Sequence, residues 1–112
     1  MGVINVRLLE FTVNKQLLRK KRDCDFSHIV AGSVGYLYAK FYFSQEEWSG
    51  CKKVVSFWKD DSEYPILLDD DNSCLIPTEV LGKEEFKVSV TGARSEKYRI
   101  ETGKVRVRQE VY

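Results

Sequence analysis

The sequence predicts an all-β protein, and three observations indicate this class. The chain has 112 residues, which suits a single domain covering residues 1–112. Its six Phe, six Tyr and two Trp stand beside many Val and Ile residues, the types that pack well on a pleated sheet. Apolar and polar residues alternate with a period of two along most of the chain, and turn residues separate the alternating runs. Together these features predict an antiparallel β-sandwich, immunoglobulin-like or jelly-roll-like, with one short helical turn.

The C-terminal part of the chain has the most regular alternation. Residues 85–91 alternate between apolar and polar side chains, as expected of a strand with one buried face. Residues 97–101 and 104–108 repeat this pattern, with charged side chains at every second position. Thr102 and Gly103 lie between these two runs and predict a tight turn, because Gly adopts a positive φ without steric cost.

The longest predicted strand covers residues 34–43. Its apolar positions share one face, whereas the other face carries Tyr36, Tyr38 and Tyr42. A tyrosine-rich outer face occurs in ordinary cross-strand ladders. It also occurs at protein contacts, where Tyr is enriched. The three tyrosines are therefore the candidate interface of this protein.

Near the N-terminus the alternation changes phase between Leu8 and Leu9. Large apolar residues occupy every second position on both sides of this shift: Ile4, Val6 and Leu8 before it, and Leu9, Phe11 and Val13 after it. One extra residue at this point predicts a β-bulge, or a strand that passes between two sheets. Residues 14–33 are the least regular part of the chain, and no regular element is predicted there.

The middle of the chain predicts a hairpin and a short helical turn. Residues 52–58 and 63–69 fit two strands, joined by a polar linker that is short enough for a hairpin. Pro65 suits an edge strand or a strand start, because proline has no N–H to donate. Residues 69–72 are all Asp or Asn and mark a turn before a further short strand. Residues 77–82 begin with Pro and end with Gly, which predicts one helical turn.

Charge and cysteine content argue against several classes of protein. Eighteen basic and seventeen acidic residues leave a net charge of +1, so the chain as a whole has no field to attract nucleic acid or an anionic membrane. Cys24, Cys51 and Cys74 are an odd number without a Cys-x-x-Cys pair, which argues against a zinc site. No signal peptide and no apolar stretch of membrane-spanning length is recognisable. We expect a protein made in a reducing cytoplasm, with no membrane or nucleic-acid partner.

The titratable residues do not form a pattern typical of catalysis. His28 is the only histidine, and a nucleophile pair would need a cysteine and an oxyanion site beside it. Residues 69–72 could present carboxylates to calcium, but they lack the Gly and the late Glu of a calcium loop, so a solvated turn is expected. The basic run at residues 19–22 has no interleaved aromatic residues and is followed at once by Asp23, which favours a solvated or partner-facing loop. We expect no enzyme, no metal and no cofactor.

Several stretches of the chain resemble a known domain. Two are the most specific, a Glu-x-Trp-x-Gly-like segment around Trp48 and an Ile-Pro-x-Glu-Val-Leu segment at residues 76–81. The others are Val30-Ala31-Gly32-Ser33, Tyr36-Leu37, Ala39-Lys40-Phe41-Tyr42-Phe43-Ser44, Lys53-Val54-Val55-Ser56-Phe57, Leu67-Leu68-Asp69, Cys74-Leu75, Phe86-Lys87-Val88-Ser89-Val90 and Gly92. Taken in their order along the chain, these stretches resemble a small β-sandwich domain of phage and prophage structural proteins of Gram-positive bacteria. That domain is often N-terminal in tail, baseplate or head-fibre proteins.

The resemblance covers residues 30–107 and implies a non-enzymatic virion structural protein. Family members usually continue into a fibre region, whereas this sequence ends at Tyr112, and they often carry an aromatic residue where Thr78 stands. The first difference favours an adaptor or attachment domain of a tail, baseplate or head appendage. Such a protein would be assembled in the bacterial cytoplasm, would bind other virion proteins and would form homo-oligomers.

Two other functions are compatible with the sequence. A carbohydrate-binding β-sandwich would stack exposed aromatic rings on sugars, and Trp48 and Trp58 are the candidates for this role. A host-directed or regulatory binding protein is the third class, and binding to nucleic acid would then depend steeply on salt.

Overall fold

The computed structural model describes residues 5–44, 46–82 and 84–111. In this part of the chain, nine strands form two sheets that pack face to face as a sandwich, and one 3-10 turn lies outside the sheets. The strands are β1 (Arg7–Asn14), β2 (Leu17–Lys20), β3 (Leu37–Ser44), β4 (Lys52–Lys59), β5 (Ser62–Leu67), β6 (Ser73–Leu75), β7 (Glu85–Ser95), β8 (Tyr98–Glu101) and β9 (Val105–Arg108). The 3-10 turn covers Thr78–Val80. The all-β sandwich with one short helical turn is thus confirmed.

One of the two sheets is mixed rather than antiparallel. The four-stranded sheet has the order β2-β1-β3-β6, and the five-stranded sheet has the order β5-β4-β7-β8 with β9 also beside β7. The central strands β1 and β3 run parallel, in register from Arg7 opposite Leu37 to Asn14 opposite Ser44. Parallel neighbours need a long crossover connection. The chain between β2 and β3 helps to provide one, and this pairing corrects the wholly antiparallel prediction.

The predicted irregularity at Leu8 and Leu9 is absent. Strand β1 pairs with β3 without interruption across this point, so neither a bulge nor a change of sheet occurs. Leu9 points into the core and is fully buried, whereas Val6 and Leu8 lie partly exposed on the opposite face. The change of phase therefore marks apolar residues on both faces of one strand. Ile4 lies outside the described residues.

The core fills the space between the sheets, and Trp48 closes one end of it. Its ring centroid lies 5.0 Å from that of Phe43, and its indole N–H donates to the Lys15 carbonyl at 2.7 Å. Its ring also contacts Gly92 of the opposite sheet. Trp48 lies in the segment that leads from β3 in one sheet to β4 in the other. Trp48 therefore fills a corner of the sandwich.

The 3-10 turn closes the opposite end. It begins after Pro77, and Val80 and Leu81 are buried in the core. The Gln109 side chain donates to the Val80 carbonyl at 3.2 Å, and the backbone N–H of Gly32 donates to the Leu81 carbonyl at 2.7 Å. The turn therefore holds the loop before β3 and the C-terminal segment together.

The link between β8 and β9 is not a reversal of the chain. Both strands pair with β7, β8 near its C-terminal half and β9 near its N-terminal half. Since β4 occupies the other side of β7, β8 and β9 lie in line along one edge. Thr102 bridges the break, because its backbone N–H donates to the Val90 carbonyl and its hydroxyl accepts the Val90 N–H, both at 3.0 Å. The predicted tight turn at Thr102 and Gly103 is therefore wrong, and the segment is a break within one strand line.

The hairpin and the acidic turn predicted for the middle of the chain are confirmed, whereas one strand near the N-terminus was not predicted. Strands β4 and β5 form the expected hairpin, and Pro65 lies on the edge strand β5. The Asp69 carboxylate accepts the backbone N–H groups of Asp71 and Ser73, both at 3.1 Å, which fixes the acidic turn. Strand β2 lies in the region without a predicted element, and it pairs antiparallel with β1 through a turn at Lys15, whose φ is 57°.

Candidate interface on the outer face of the four-stranded sheet

The outer face is the side of the four-stranded sheet that points away from the core. Because side chains alternate across a strand, the register of β1, β3 and β6 places outward residues in rows. One row contains Leu8, Tyr38 and Leu75. The row beside it contains Val6 and Tyr36, since the Arg7 N–H that follows Val6 bonds to the Tyr36 carbonyl at 2.9 Å. We call these five residues the apolar end of the outer face.

Most of the apolar end is exposed. Val6, Leu8, Tyr36 and Leu75 each expose between 40% and 44% of their surface, and Tyr38 is half-buried. Isolated exposed apolar residues are common on proteins, whereas a contiguous set marks an interaction surface. Tyrosine suits such a surface because its ring buries apolar area while its hydroxyl finds a polar partner.

The middle of the outer face is charged. The next row places Glu10 of β1 beside Lys40 of β3. The Tyr42 hydroxyl donates a hydrogen bond to the Glu10 carboxylate, and this bond, with desolvation, raises the pKa of Tyr42. The ammonium groups of Lys21 and Lys40 lie 5.6 and 5.8 Å from the centre of the Tyr42 ring. Tyr42 is therefore held by charged neighbours rather than by apolar ones.

The structure thus divides the three candidate tyrosines between two environments. All three lie on the outer face or on the segment that leads into it, as the alternation of residues 34–43 predicts. Tyr36 and Tyr38 belong to the apolar end, whereas Tyr42 lies in the charged middle. Their role as an interface stays a prediction. The sequence did not single out Leu8 and Leu75 as members of this surface, because the register that places them beside Tyr38 is a tertiary feature.

Neither tryptophan is fully exposed. Trp48 is completely buried, so its candidacy for sugar stacking is wrong. The Trp58 ring is half-buried, and the Lys104 ammonium lies over it at 3.7 Å from the ring centre. Its indole N–H donates to the Ser89 hydroxyl at 3.0 Å. The lysine occupies the position that a sugar ring would take on that side of Trp58.

The sole histidine belongs to a loop-closing contact. Its Nδ1 lies 2.9 Å from a carboxylate oxygen of Glu110, and the ring is largely exposed. The Arg7 guanidinium donates to the backbone carbonyls of Asp25, Ser27 and His28 at 2.6 to 3.1 Å, which fixes the same loop. The Cys24 thiol bonds instead to the backbone of β1, and its Sγ accepts the Glu10 N–H at 3.3 Å. These contacts hold residues 24–28 in place against the rest of the sandwich.

The acidic and basic segments noted in the sequence contact neighbouring side chains or backbone. In residues 5–44, 46–82 and 84–111, no three His, Cys, Asp or Glu side chains come together as metal ligands. Within the basic run, Lys21 pairs with Asp23, which raises the pKa of Lys21 and lowers that of Asp23. Lys20 lies 5.3 Å from the centre of the Phe26 ring. Arg19 stands on the outer face opposite Thr12.

Comparison with known proteins gives no relative for this chain. It matches no protein-family model, no curated protein and no solved structure. The part of the chain that the structure describes contains no helix with the length and apolar character that crossing a membrane requires.

Proposed function

We propose that this protein is a non-enzymatic virion structural protein, an adaptor or attachment domain of a phage tail, baseplate or head appendage. It assembles into the virion through contacts of the outer face of the four-stranded sheet. The observation that carries the binding role is the apolar end, where four apolar side chains expose 40% to 44% of their surface next to half-buried Tyr38. The resemblance of the Trp48 and residue 76–81 segments to phage structural domains supplies the virion part of the proposal.

The remaining features of the molecule support binding rather than chemistry. The Trp48 segment and the 3-10 turn close the two ends of the sandwich, so the most distinctive motifs serve the fold. The loop that carries His28 is fixed by Arg7 and Glu110. The broad surfaces of the sheets are then the natural place for function, and the outer face is the one with an apolar cluster assembled from three strands.

The test is mass spectrometry of phage particles purified after induction of the bacterium that carries the gene. Wild-type chain should appear in a fixed copy number per particle. The Leu8→Ser variant should be depleted from particles, because it places a polar group in the centre of the apolar end. Leu67→Ser is the matched control, since Leu67 is 63% exposed but belongs to edge strand β5 of the other sheet.

The outcomes separate the two parts of the proposal. Absence of the wild-type chain from particles, despite expression in the cell, overturns the virion role. Equal incorporation of Leu8→Ser and wild type overturns the role of the apolar end. Thermal unfolding of both serine variants, followed by circular dichroism, confirms that each is folded.

A further inference from the structure

We propose that the outer face binds the same face of a second copy, around a two-fold axis that lies in the interface and runs parallel to β1 and β3. This inference uses the surface named in the proposed function and adds its occupant and geometry. It follows from how the residues of the two central strands are matched in charge and polarity across the sheet.

The register of β1 and β3 sets which residues are neighbours on the outer face. These parallel strands are the two central strands of the sheet, and residues with equal height along the strands are direct neighbours. Leu8 stands beside Tyr38, and Glu10 stands beside Lys40. The outer face therefore carries an apolar pair and an oppositely charged pair, one after the other along the strands.

A two-fold axis along the strands makes the outer face complementary to itself. A two-fold axis parallel to the strands and centred between β1 and β3 exchanges these strands but keeps each height unchanged. Leu8 of one copy then faces Tyr38 of the other, and Glu10 faces Lys40. Because a two-fold interface is isologous, each of these contacts occurs twice. The single face is thus complementary to itself in both polarity and charge.

Other orientations of the two copies match less well. A two-fold axis across the strands, through the charged row, would place Glu10 opposite Glu10 and Lys40 opposite Lys40. Like charges in direct opposition disfavour such a complex. The same axis would place the apolar end against the row of Arg19 and Tyr42. The axis parallel to the strands avoids both mismatches, and aligned sheet packing of this kind is a common arrangement.

The size of the face sets the expected affinity. With about 4.8 Å between strands and about 3.3 Å per residue, four strands of up to eight residues cover about 500 Å² at most. Two copies then bury at most about 1,000 Å², which is the lower limit for a specific interface. We therefore expect a weak, reversible dimer with a dissociation constant on the order of micromolar or higher.

The experiment is a charge-reversal series followed by sedimentation velocity over a range of concentrations. In Glu10→Lys, both facing positions become positive, and in Lys40→Glu both become negative. Each variant alone should dimerise on the order of tenfold more weakly than wild type, or more weakly still, because two attractive pairs become two repulsive pairs. An equimolar mixture of the two variants should restore a dimer that contains one copy of each, since every facing pair is again opposite in charge.

Two matched controls carry the same charge changes elsewhere. Lys87→Glu lies on the five-stranded sheet, and Glu79→Lys lies on the 3-10 turn. Both residues are exposed, and both control variants should dimerise as wild type does. Circular dichroism and thermal unfolding establish that every variant is folded, which matters for Glu10 because it also accepts the Tyr42 hydroxyl.

The results decide the inference independently of the proposed function. A wild-type chain that stays monomeric at about 1 mM overturns the pairing, and so does a dimer that ignores both charge reversals. A mixture that stays monomeric while wild type dimerises also overturns it. Each of these results leaves incorporation into particles to be judged by its own experiment, where the outer face would then bind a different virion protein.

Discussion

At the scale of single residues, Gly92 and Trp48 illustrate how a missing side chain determines the fit of a large one. Gly92 lies on β7, and a Cβ atom added there would stand 2.8 Å from two carbon atoms of the Trp48 ring. No relaxed structure tolerates such a distance, so the ring closes the end of the sandwich only because this position is glycine. The glycine is thus a requirement of close approach.

Gly92→Ala is expected to lower the free energy of unfolding by about 1–3 kcal/mol, the usual cost of overpacking a core. Alanine in a strand would otherwise be favoured over glycine, so a loss of stability identifies the clash as the cause. Urea unfolding monitored by tryptophan fluorescence measures the change. Gly103→Ala is the control, because a Cβ there would meet nothing within 4 Å. Equal stability of the two variants would contradict this account.

Cys74 shows how burial alone alters chemistry. Its side chain faces the core from β6, and burial, followed by the nearby Asp69 charge, raises the pKa of its thiol to about 12. In the unfolded chain the thiol ionises near its ordinary value of 9.0. Between these two values the unfolded chain binds fewer protons than the folded chain, so ionisation of this thiol destabilises the fold as the pH rises.

We expect the free energy of unfolding to fall more steeply between pH 9 and 12 in wild type than in Cys74→Ala. The comparison removes the contributions of other residues that titrate in this range. In addition, iodoacetamide at pH 8 should modify Cys24 and Cys51 before Cys74, because both are partly exposed. Peptide mass spectrometry of the folded protein follows this order, and simultaneous modification of all three thiols would be contrary to it.

At the scale of elements, the β4–β5 hairpin depends on the conformation of one turn residue. The turn contains Asp60 and Asp61, and Asp60 has a φ of 54°, in the left-handed region. Asp and Asn enter this region more readily than other residues that carry a side chain, because their short polar groups can bond locally. The sequence Asp-Asp therefore suits the hairpin at its first position in particular.

Asp60→Val should destabilise the protein by about 1 kcal/mol or more, since a β-branched residue is strained at positive φ. Asp61→Val changes the same side chain in the same turn at a position with ordinary φ, so it should have a much smaller effect. Thermal unfolding of both variants measures the difference. If Asp61→Val were the more damaging of the two, the assignment of strain to Asp60 would be incorrect.

At the scale of the whole molecule, the two sheets are connected at both ends of the core. Trp48 joins them at one end, and the 3-10 turn, with Gln109 and Gly32, joins them at the other. A single core of this kind is expected to unfold in one step, because neither sheet retains a covered apolar face without the other.

Urea unfolding of Trp58→Phe tests this cooperativity. The remaining tryptophan, Trp48, then reports the contact between the sheets, while far-ultraviolet circular dichroism reports the strands. The fluorescence and circular-dichroism transitions of Trp58→Phe should have the same midpoint. That midpoint should equal the one that circular dichroism gives for wild type. Loss of the Trp48 signal at a lower urea concentration would show that the sheets separate before they unfold.

The amino-acid sequence by itself determined the class of fold and most strand positions. Alternation with a period of two marks which side chains are buried, so β3, β4, β5 and β7 could be predicted from local pattern alone. The hairpin at Asp60 and the 3-10 turn after Pro77 could also be predicted locally, because turn residues and proline indicate them without knowledge of distant neighbours. The face that carries Tyr36, Tyr38 and Tyr42 was also predictable, because alternation assigns faces without knowledge of neighbours.

Only the tertiary structure decided which strands are neighbours. Local pattern contains no term for pairing, so it could not show that β1 lies parallel to β3 or that β8 and β9 continue along one edge of β7. The same limit applies to the outer face, where pairing brings Leu8 and Leu75 to Tyr38 and sets Glu10 beside Lys40. It also applies to Trp48, since a ring near a chain reversal becomes core only when Gly92 of the other sheet approaches it. Residues far apart in sequence meet through the register of the sheets, and this register forms when the whole core is buried.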